Sequence, residues 1–442
     1  MEQLIQQWVQ FIWTYLTIPL LFAVSLFFTF YLGGVQFRFG RMFKSLTAKN
    51  SGNDVTPMQS LFMALGAKVG VGSLAGVALA ITIGGPGSIF WMWVSTFITT
   101  SASFAESTLS QIFKMRDDNR FIGGPAFYIR DGMNNKAMAL IYAVIIILTY
   151  TFGFSAVQIN TIAASFENAL HIPPLMTGIA LTLLTGVILM GGATGITKLV
   201  SKVVPAIAIF YIGLGAIAIA MNLDFIGEFF TTIISDAFTG SSIVGGTLMG
   251  TLMVGLQRGI FSNEAGLGSG AHAASMTNSA TPTEQGYIQA FGVYLTTFVV
   301  ITITAFMLMV TNASAMADTL GGGIRLTQYA MFNLFGPIGT YLLTLAIFFF
   351  GFSTVPTAYF YGESNIKFLT RNKHAVLTLR LLVMAVVFVS ALGSSTFIWS
   401  LVDLGTGTTA TINLIALIVL STQIKNAINF DATHKKLKKR IQ

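Results

Sequence analysis

Six ionisable side chains, Lys68, Glu106, Arg258, Glu264, Glu363 and Asp403, fall in stretches otherwise apolar enough to lie in a bilayer. A charge at mid-membrane costs about 2.5–3.5 kcal/mol by insertion scales, so such groups face a protein interior and find partners there. Two of them accompany glycine runs. Lys68 stands in Leu65-Gly-Ala-Lys-Val-Gly-Val-Gly-Ser-Leu-Ala-Gly76, and Glu264 in Gly255-Leu-Gln-Arg-Gly-Ile-Phe-Ser-Asn-Glu-Ala-Gly-Leu-Gly-Ser-Gly270. Each Gly inside a helix costs about 0.5–1 kcal/mol relative to Ala. Irregular backbone at membrane depth is tolerated only where it is buried in protein or lines a cavity. Broken helices offer N–H groups and a positive dipole end to a carboxylate, and free carbonyls to a cation. For any single glycine, close helix packing is the simpler reading. Two clusters, each combined with charged or amide groups, point to a binding site.

Other chemistry finds little support. The chain has no Cys, and its four His residues, at 171, 272, 374 and 434, fall in separate segments. That leaves no thiol nucleophile and no ligand spacing for a transition metal. No nucleophile elbow, His-Glu metal motif or cofactor motif occurs, so an enzyme is not expected. The formal charge of +8 lies in the loops between apolar spans, where it reads as a topology signal rather than a nucleic-acid surface.

The elements that must position the two breaks are membrane helices. With 54% hydrophobic and 9% charged residues in 442, and a mean hydropathy of +0.75, the expected fold is an all-α integral membrane protein without a separate soluble domain. At about 20 apolar residues per span, we read about eleven spans. They lie near 10–32, 58–85, 88–113, 138–165, 173–192, 199–222, 245–271, 286–311, 337–364, 376–393 and 397–421. The first is read as a retained span rather than a signal peptide. Gly84-Gly-Pro-Gly87 is the expected turn between the second and third.

Basic loops set the orientation. Arg38, Arg41, Lys44 and Lys49 share a side with Lys114 to Lys136, Lys198, Lys202, Lys367, Arg371, Lys373, Lys425 and the tail Lys435 to Arg440. The opposite loops carry Glu167, Asp224, Glu228, Asp236, Asp318 and one basic residue, Arg325. The pattern predicts a multi-pass protein of a bacterial-type plasma membrane, N-terminus outside and C-terminus cytoplasmic. Residues 1–57 are expected to form an extra helix and loop. Segments 58–222 and 245–421 form two five-helix halves, each headed by a glycine-broken span, and 422–442 a basic tail. Five is odd, so the halves enter from opposite sides; paired broken spans in inverted halves are the best sequence pointer to a transporter's midplane site.

Several stretches then resemble a known family. They are Val69-Gly-Val-Gly-Ser-Leu-Ala-Gly-Val77, Ile83-Gly-Gly-Pro-Gly-Ser-Ile-Phe-Trp-Met-Trp93, Phe104-Ala-Glu-Ser-Thr-Leu109, Arg258-Gly-Ile-Phe-Ser-Asn-Glu-Ala-Gly-Leu-Gly-Ser269 and Tyr359-Phe-Tyr-Gly-Glu363. They closely resemble the alanine or glycine:cation symporters over almost the whole chain. The resemblance implies a leucine-transporter-like fold with five-plus-five inverted repeats and one extra N-terminal helix. It implies sodium-coupled transport of a small neutral amino acid by alternating access.

By the same resemblance, Ser73, Leu74, Ala75 and Gly76 would cradle the amino acid, faced by Phe261, Ser262 and Asn263, with Gln158 contributing from its helix. Gly66 and Val69 carbonyls with the Ser353 and Thr354 hydroxyls would hold sodium, hard oxygen ligands for a hard cation. The family usually carries Asn at the position of Ser73 and Asp at that of Thr296, which leaves the sodium stoichiometry open. Glutamine or serine as substrate, proton coupling, and a passive facilitator or channel remain alternatives. For the buried charges we expect a Lys68 to Glu264 pair or a Lys68 ammonium standing near a lost sodium site. Asp403 is read as a helix cap, Glu363 as a snorkelling or gating residue, and Trp91, Trp93 and Trp399 as interface anchors.

Overall fold

The computed structural model describes residues 2–47, 55–117, 120–239 and 248–441. Lys49, Gly245 and Gly246 lie outside the described residues, as do the side chains of Lys435, Lys436, Lys438, Lys439 and Arg440.

The chain opens with helix α1 (Gln3–Tyr31) and a short amphipathic α2 (Phe39–Leu46). The first broken segment follows as α3 (Pro57–Lys68) and α4 (Ala75–Gly84). Its start is fixed by sequence. Thr56 accepts from the Gln59 N–H while the Gln59 side chain accepts from the Thr56 N–H, and Pro57 occupies a first-turn position that needs no donor. A bend of 118° at Gly84 to Gly87 then leads into α5 (Gly87–Ile112), the expected turn. It is tight because Gly87 packs on the later helix Phe225–Thr239, where a Cβ would come 2.3 Å from the Ala237 nitrogen.

A two-stranded hairpin, Met115–Asp117 paired with Arg120–Ile122, precedes α6 (Pro125–Gly132). Then come α7 (Lys136–Leu170), α8 (Pro174–Met190), α9 (Gly192–Ala220) and the connecting α10 (Phe225–Thr239). The second broken segment is α11 (Leu248–Asn263) and α12 (Ser269–Ser275). The chain ends with α13 (Pro282–Val310), α14 (Ile324–Phe335), α15 (Pro337–Leu369), α16 (Lys373–Ala391), α17 (Ser395–Val419) and α18 (Ser421–Ile441).

Seven of these helices are long and apolar enough to cross a membrane alone. The bent pair α4 and α5 makes an eighth candidate span among the described residues, and α8 is a shorter apolar helix of 17 residues. The order is consistent with the expected spans, with differences at their ends. Lys198 and Lys202 lie on α9 rather than in a loop, because that helix starts at Gly192. The amphipathic α2, α6, α10 and α14 fall between spans, where hydropathy alone marks only loops. The helix continuing from α1, α7 and α13 loosens to i→i+5 pairing at Ile12–Thr17, Ile147–Phe154 and Leu295–Ile301. Such bulges frequently mark functional regions, and Phe154 and Thr297 in two of them reach the site.

Candidate substrate and ion site between two broken helices

The first break runs from Val69 to Leu74. Gly70 is extended, Val71–Ser73 form one 3-10 turn, and all these residues are buried. Glycine is required by crowding. A Cβ on Gly70 would lie 2.7 Å from Gln158 Oε1 and 2.8 Å from Thr354 Oγ1; one on Gly72 would lie 2.9 Å from the Phe261 ring.

The second break runs from Glu264 to Gly268. Glu264, Gly266 and Gly268 all take left-handed backbone, with φ of 56°, 81° and 85°. A Cβ on Gly268 would also meet the Tyr142 hydroxyl at 2.3 Å. Gly255 and Gly259 stay inside α11 and let it approach α5, a Cβ on Gly255 falling 2.4 Å from the Ser88 carbonyl. For those two, close packing is the whole explanation.

The breaks meet. Ser73 Oγ lies 2.7 Å from Ser262 Oγ, both fully buried, and Ser73 Oγ also donates weakly to the Lys68 carbonyl at 3.4 Å. Thr304 donates to the Ser73 carbonyl at 2.9 Å and Thr327 to that of Leu74 at 3.4 Å, which ties the break to α13 and α14. The Val71 N–H donates to Gln158 Oε1 at 2.9 Å, so a side-chain oxygen already occupies one donor of the break. Thr354 Oγ1 donates to the Gly66 carbonyl at 2.6 Å. Ser353 donates within its own helix to Phe350, and Val69 closes α3 by donating to Leu65. Asn263 turns toward Thr96 and Thr297, at 3.0 and 3.3 Å, while its oxygen accepts from the Ala265 N–H. Thr296 donates to Gly292 on its own helix.

An aromatic stack covers the serine pair. Phe261 stacks on Phe154 at 4.8 Å and 16°, and lies against Trp399 at 4.9 Å. Trp399 is 8% exposed, so it packs inside the protein against Phe261 and is not the interface anchor its place near a helix end suggests. Trp91 and Trp93 are half-buried and donate to Ala237 and Thr302. Above Trp399 the Arg258 guanidinium sits 5.0 Å from its ring and pairs with Asp403 at 2.5 Å. Asp403 is therefore no helix cap. Helix α17 begins at Ser395, two turns earlier, and carries the carboxylate inward to Arg258. Beyond this pair opens a cavity of about 570 Å³ whose floor includes Ala75, Arg258, Trp399 and Asp403.

On the other side of the breaks, Glu363 pairs with Arg120 and lies 3.3 Å from Lys367, which reaches Asp117 at 2.6 Å. Glu363 thus fastens the hairpin to α15 rather than snorkelling. Sequence reading placed Arg258, Asp403 and Glu363 in spans but not their partners, which come from segments 145 and 243 positions away. Lys68, expected to pair with Glu264, makes no hydrogen bond or ion pair, though the charges of Glu264 and Glu106 both act on it.

Two facing broken helices, buried at the centre of a helical bundle and barred on both sides, define a secondary transporter of the leucine-transporter fold. The sodium:alanine symporter family model matches residues 1–442, and the chain belongs to that family. The amino-acid carrier protein AlsT of Bacillus subtilis (strain 168) is 38% identical, over 93% of this chain and 88% of its own. The probable sodium/glutamine symporter GlnT of the same strain is 38% identical over 96% and 89%. Among solved structures, MhsT in complex with L-phenylalanine superposes with a TM-score of 0.58 at 13% identity, covering 86% of this chain and 100% of that one. The chain is a multi-pass transporter, not an enzyme.

Proposed function

We propose that the protein uses the sodium gradient to import a small neutral amino acid, alanine or glycine in class, by alternating access. The observation that carries the reading is the Ser73–Ser262 contact, which makes one site of the two breaks. The amino acid would lie between Ser73 to Gly76 and Phe261 to Asn263. Its carboxylate would replace Gln158 on the Val71 N–H, and Gln158 would turn to the ligand. A small substrate is favoured by the crowding at the break, where the Phe261 ring lies close against Gly72.

Sodium would bind at the Gly66 carbonyl, with Val69, Ser353 and Thr354 completing an oxygen shell. Uncharged carbonyls and hydroxyls hold the ion without trapping it. The Thr354 hydroxyl, which donates to the Gly66 carbonyl, would rotate to present a lone pair to the ion. Arg258–Asp403 over Trp399 is the outer gate and Glu363 with Arg120 and Lys367 the inner one.

This reading places the 570 Å³ vestibule outside and the basic loops in the cytoplasm, with the protein in a plasma membrane. It divides the chain into 1–57, a first repeat of 58–222, an inverted second of 245–421 and a tail of 422–442. The family's description favours alanine, while a relative named for glutamine keeps that substrate in the test. Counterflow in proteoliposomes against a panel of amino acids, with and without sodium, decides. Saturable exchange of alanine or glycine that requires sodium supports the reading; no amino acid exchanging under any condition overturns it.

A further inference from the structure

The mechanism above leaves one buried cluster unused. Lys68 ends α3, Glu106 lies on α5, Glu264 opens the second break and Gln289 lies on α13. All four are buried, at 1% exposure or less. Lys68 Nζ, Glu106 Oε1, Glu264 Oε1 and Gln289 Oε1 each lack a hydrogen-bond partner. Gly270 explains how three of them share a space. A Cβ there would stand 3.5 Å from Glu106 Oε1, 3.7 Å from Lys68 Nζ and 3.8 Å from Gln289 Oε1, so the missing methyl leaves a gap of about one water among them.

The second oxygen of each carboxylate is occupied. Glu106 Oε2 accepts from the Gly268 N–H and from Asn413, both at 2.9 Å, and Glu264 Oε2 accepts from Ser269 at 2.6 Å. Glu106 Oε1 thus borders the gap that the ammonium also borders, while Glu264 keeps a buried oxygen without a partner and lies near enough for its charge to act on both Lys68 and Glu106. Charge does not balance there. Two carboxylates face one ammonium, and the other titratable groups around them are neutral as ordinarily protonated. Those are Tyr128 on α6, Tyr142 and Tyr150 on α7, Tyr361 on α15 and His272 on α12. His272 is already spoken for, its ring nitrogens meeting the Gly268 carbonyl at 3.1 Å and Asn365 at 2.8 Å. An uncompensated charge in a dry interior is strongly destabilising. A second cation is disfavoured because it would stand beside the Lys68 ammonium, and like charges repel strongly in a dry interior. A proton meets the deficit, since one O–H gives an unpartnered acceptor its donor.

We propose that Glu106 and Glu264 hold one proton between them, making this cluster a titrating site that binds and releases a proton as the two helix breaks move. The step is the protonation of a carboxylate to a carboxylic acid, with the proton exchanged with water reaching the cluster when α3 and α12 part. Two such coupled groups titrate as a unit. The site lies on the basic-loop side of the Ser73–Ser262 contact, since α3 and α12 both run from the breaks toward that side. Transport therefore responds to pH on that face.

Infrared spectroscopy of the purified full chain in an ester-free detergent tests this without sodium or amino acid, so the outcome is independent of the transport reading. At neutral pH the wild type shows a carboxylic-acid carbonyl absorption that shifts in heavy water. Glu106→Gln and Glu264→Gln each abolish it, because Lys68 balances the remaining carboxylate. Lys68→Met about doubles it. No such absorption in the wild type, or its persistence in both glutamine variants, overturns the proposal. Should the variants not fold, alkaline titration of the wild type still decides: the absorption vanishes reversibly, and an absorption unmoved by pH is contrary.

Discussion

Ser73 Oγ and Ser262 Oγ, 189 positions apart in the chain, lie 2.7 Å from each other, Ser73 inside the first break and Ser262 in the last turn of α11 just before the second. Gly70 and Gly72 beside Ser73 leave no room for side chains, so the contact depends on backbone geometry. Replacing Ser262 with Ala removes one hydroxyl without adding bulk. Ligand binding is expected to weaken about tenfold while thermal stability changes little; equilibrium binding of radiolabelled alanine beside a melting curve checks it.

Among the described residues, Thr354 is the one side chain that bonds the Gly66 carbonyl, at 2.6 Å. Thr354→Val keeps the shape and deletes the oxygen. The sodium concentration giving half-maximal uptake should rise at least tenfold, about 1.4 kcal/mol, with the same change at Thr311, far from the site, leaving it unmoved.

Arg258 and Asp403 are 11% and 6% exposed in their side chains. Asp403→Asn leaves a buried guanidinium short of its partner, and breaking such pairs costs about 3–5 kcal/mol. Asp403→Leu with Arg258→Met restores stability and leaves the gate open to loosening. The double variant should release bound amino acid faster than wild type in a chase experiment while melting near the wild-type temperature.

Phe261 stacks on Phe154 and lies against Gly72, where it would border the proposed amino-acid pocket. Phe261→Ala should weaken alanine uptake and admit larger side chains such as that of glutamine, read by competition against labelled substrate. Unchanged selectivity would remove Phe261 from the account.

The glycines separate into two kinds. Gly268→Ala forces a left-handed residue into the Tyr142 hydroxyl and should abolish folded yield. Gly213, in the middle of α9 with nothing within 4 Å of its Cβ position, is free to change. Gly213→Ala should stabilise the helix by about 0.5–1 kcal/mol, seen as a higher melting temperature.

Much of this was legible from residue types. The spans and the turn at Gly84 to Gly87 follow from hydropathy and from Gly and Pro, because bilayer thickness fixes helix length. The first break follows from its glycines. The second was harder to delimit: Gly255 and Gly259 look like part of it and instead let α11 press on α5, a distinction that depends on which helix lies opposite. Arg258 with Asp403, Glu363 with Arg120, and Trp399 over Phe261 were invisible as pairs, since no periodicity links residues brought together by tertiary packing. The reach of Glu106 toward Lys68, through the gap at Gly270, has the same origin.

The central claim is that the two breaks couple an amino acid to sodium. An inward sodium gradient imposed on proteoliposomes should drive alanine or glycine to accumulate above its external concentration. Collapse of that gradient by an ionophore should release it, and Thr354→Val should blunt both. Uptake that only equilibrates, with the same rate whether or not sodium is present, would contradict the account.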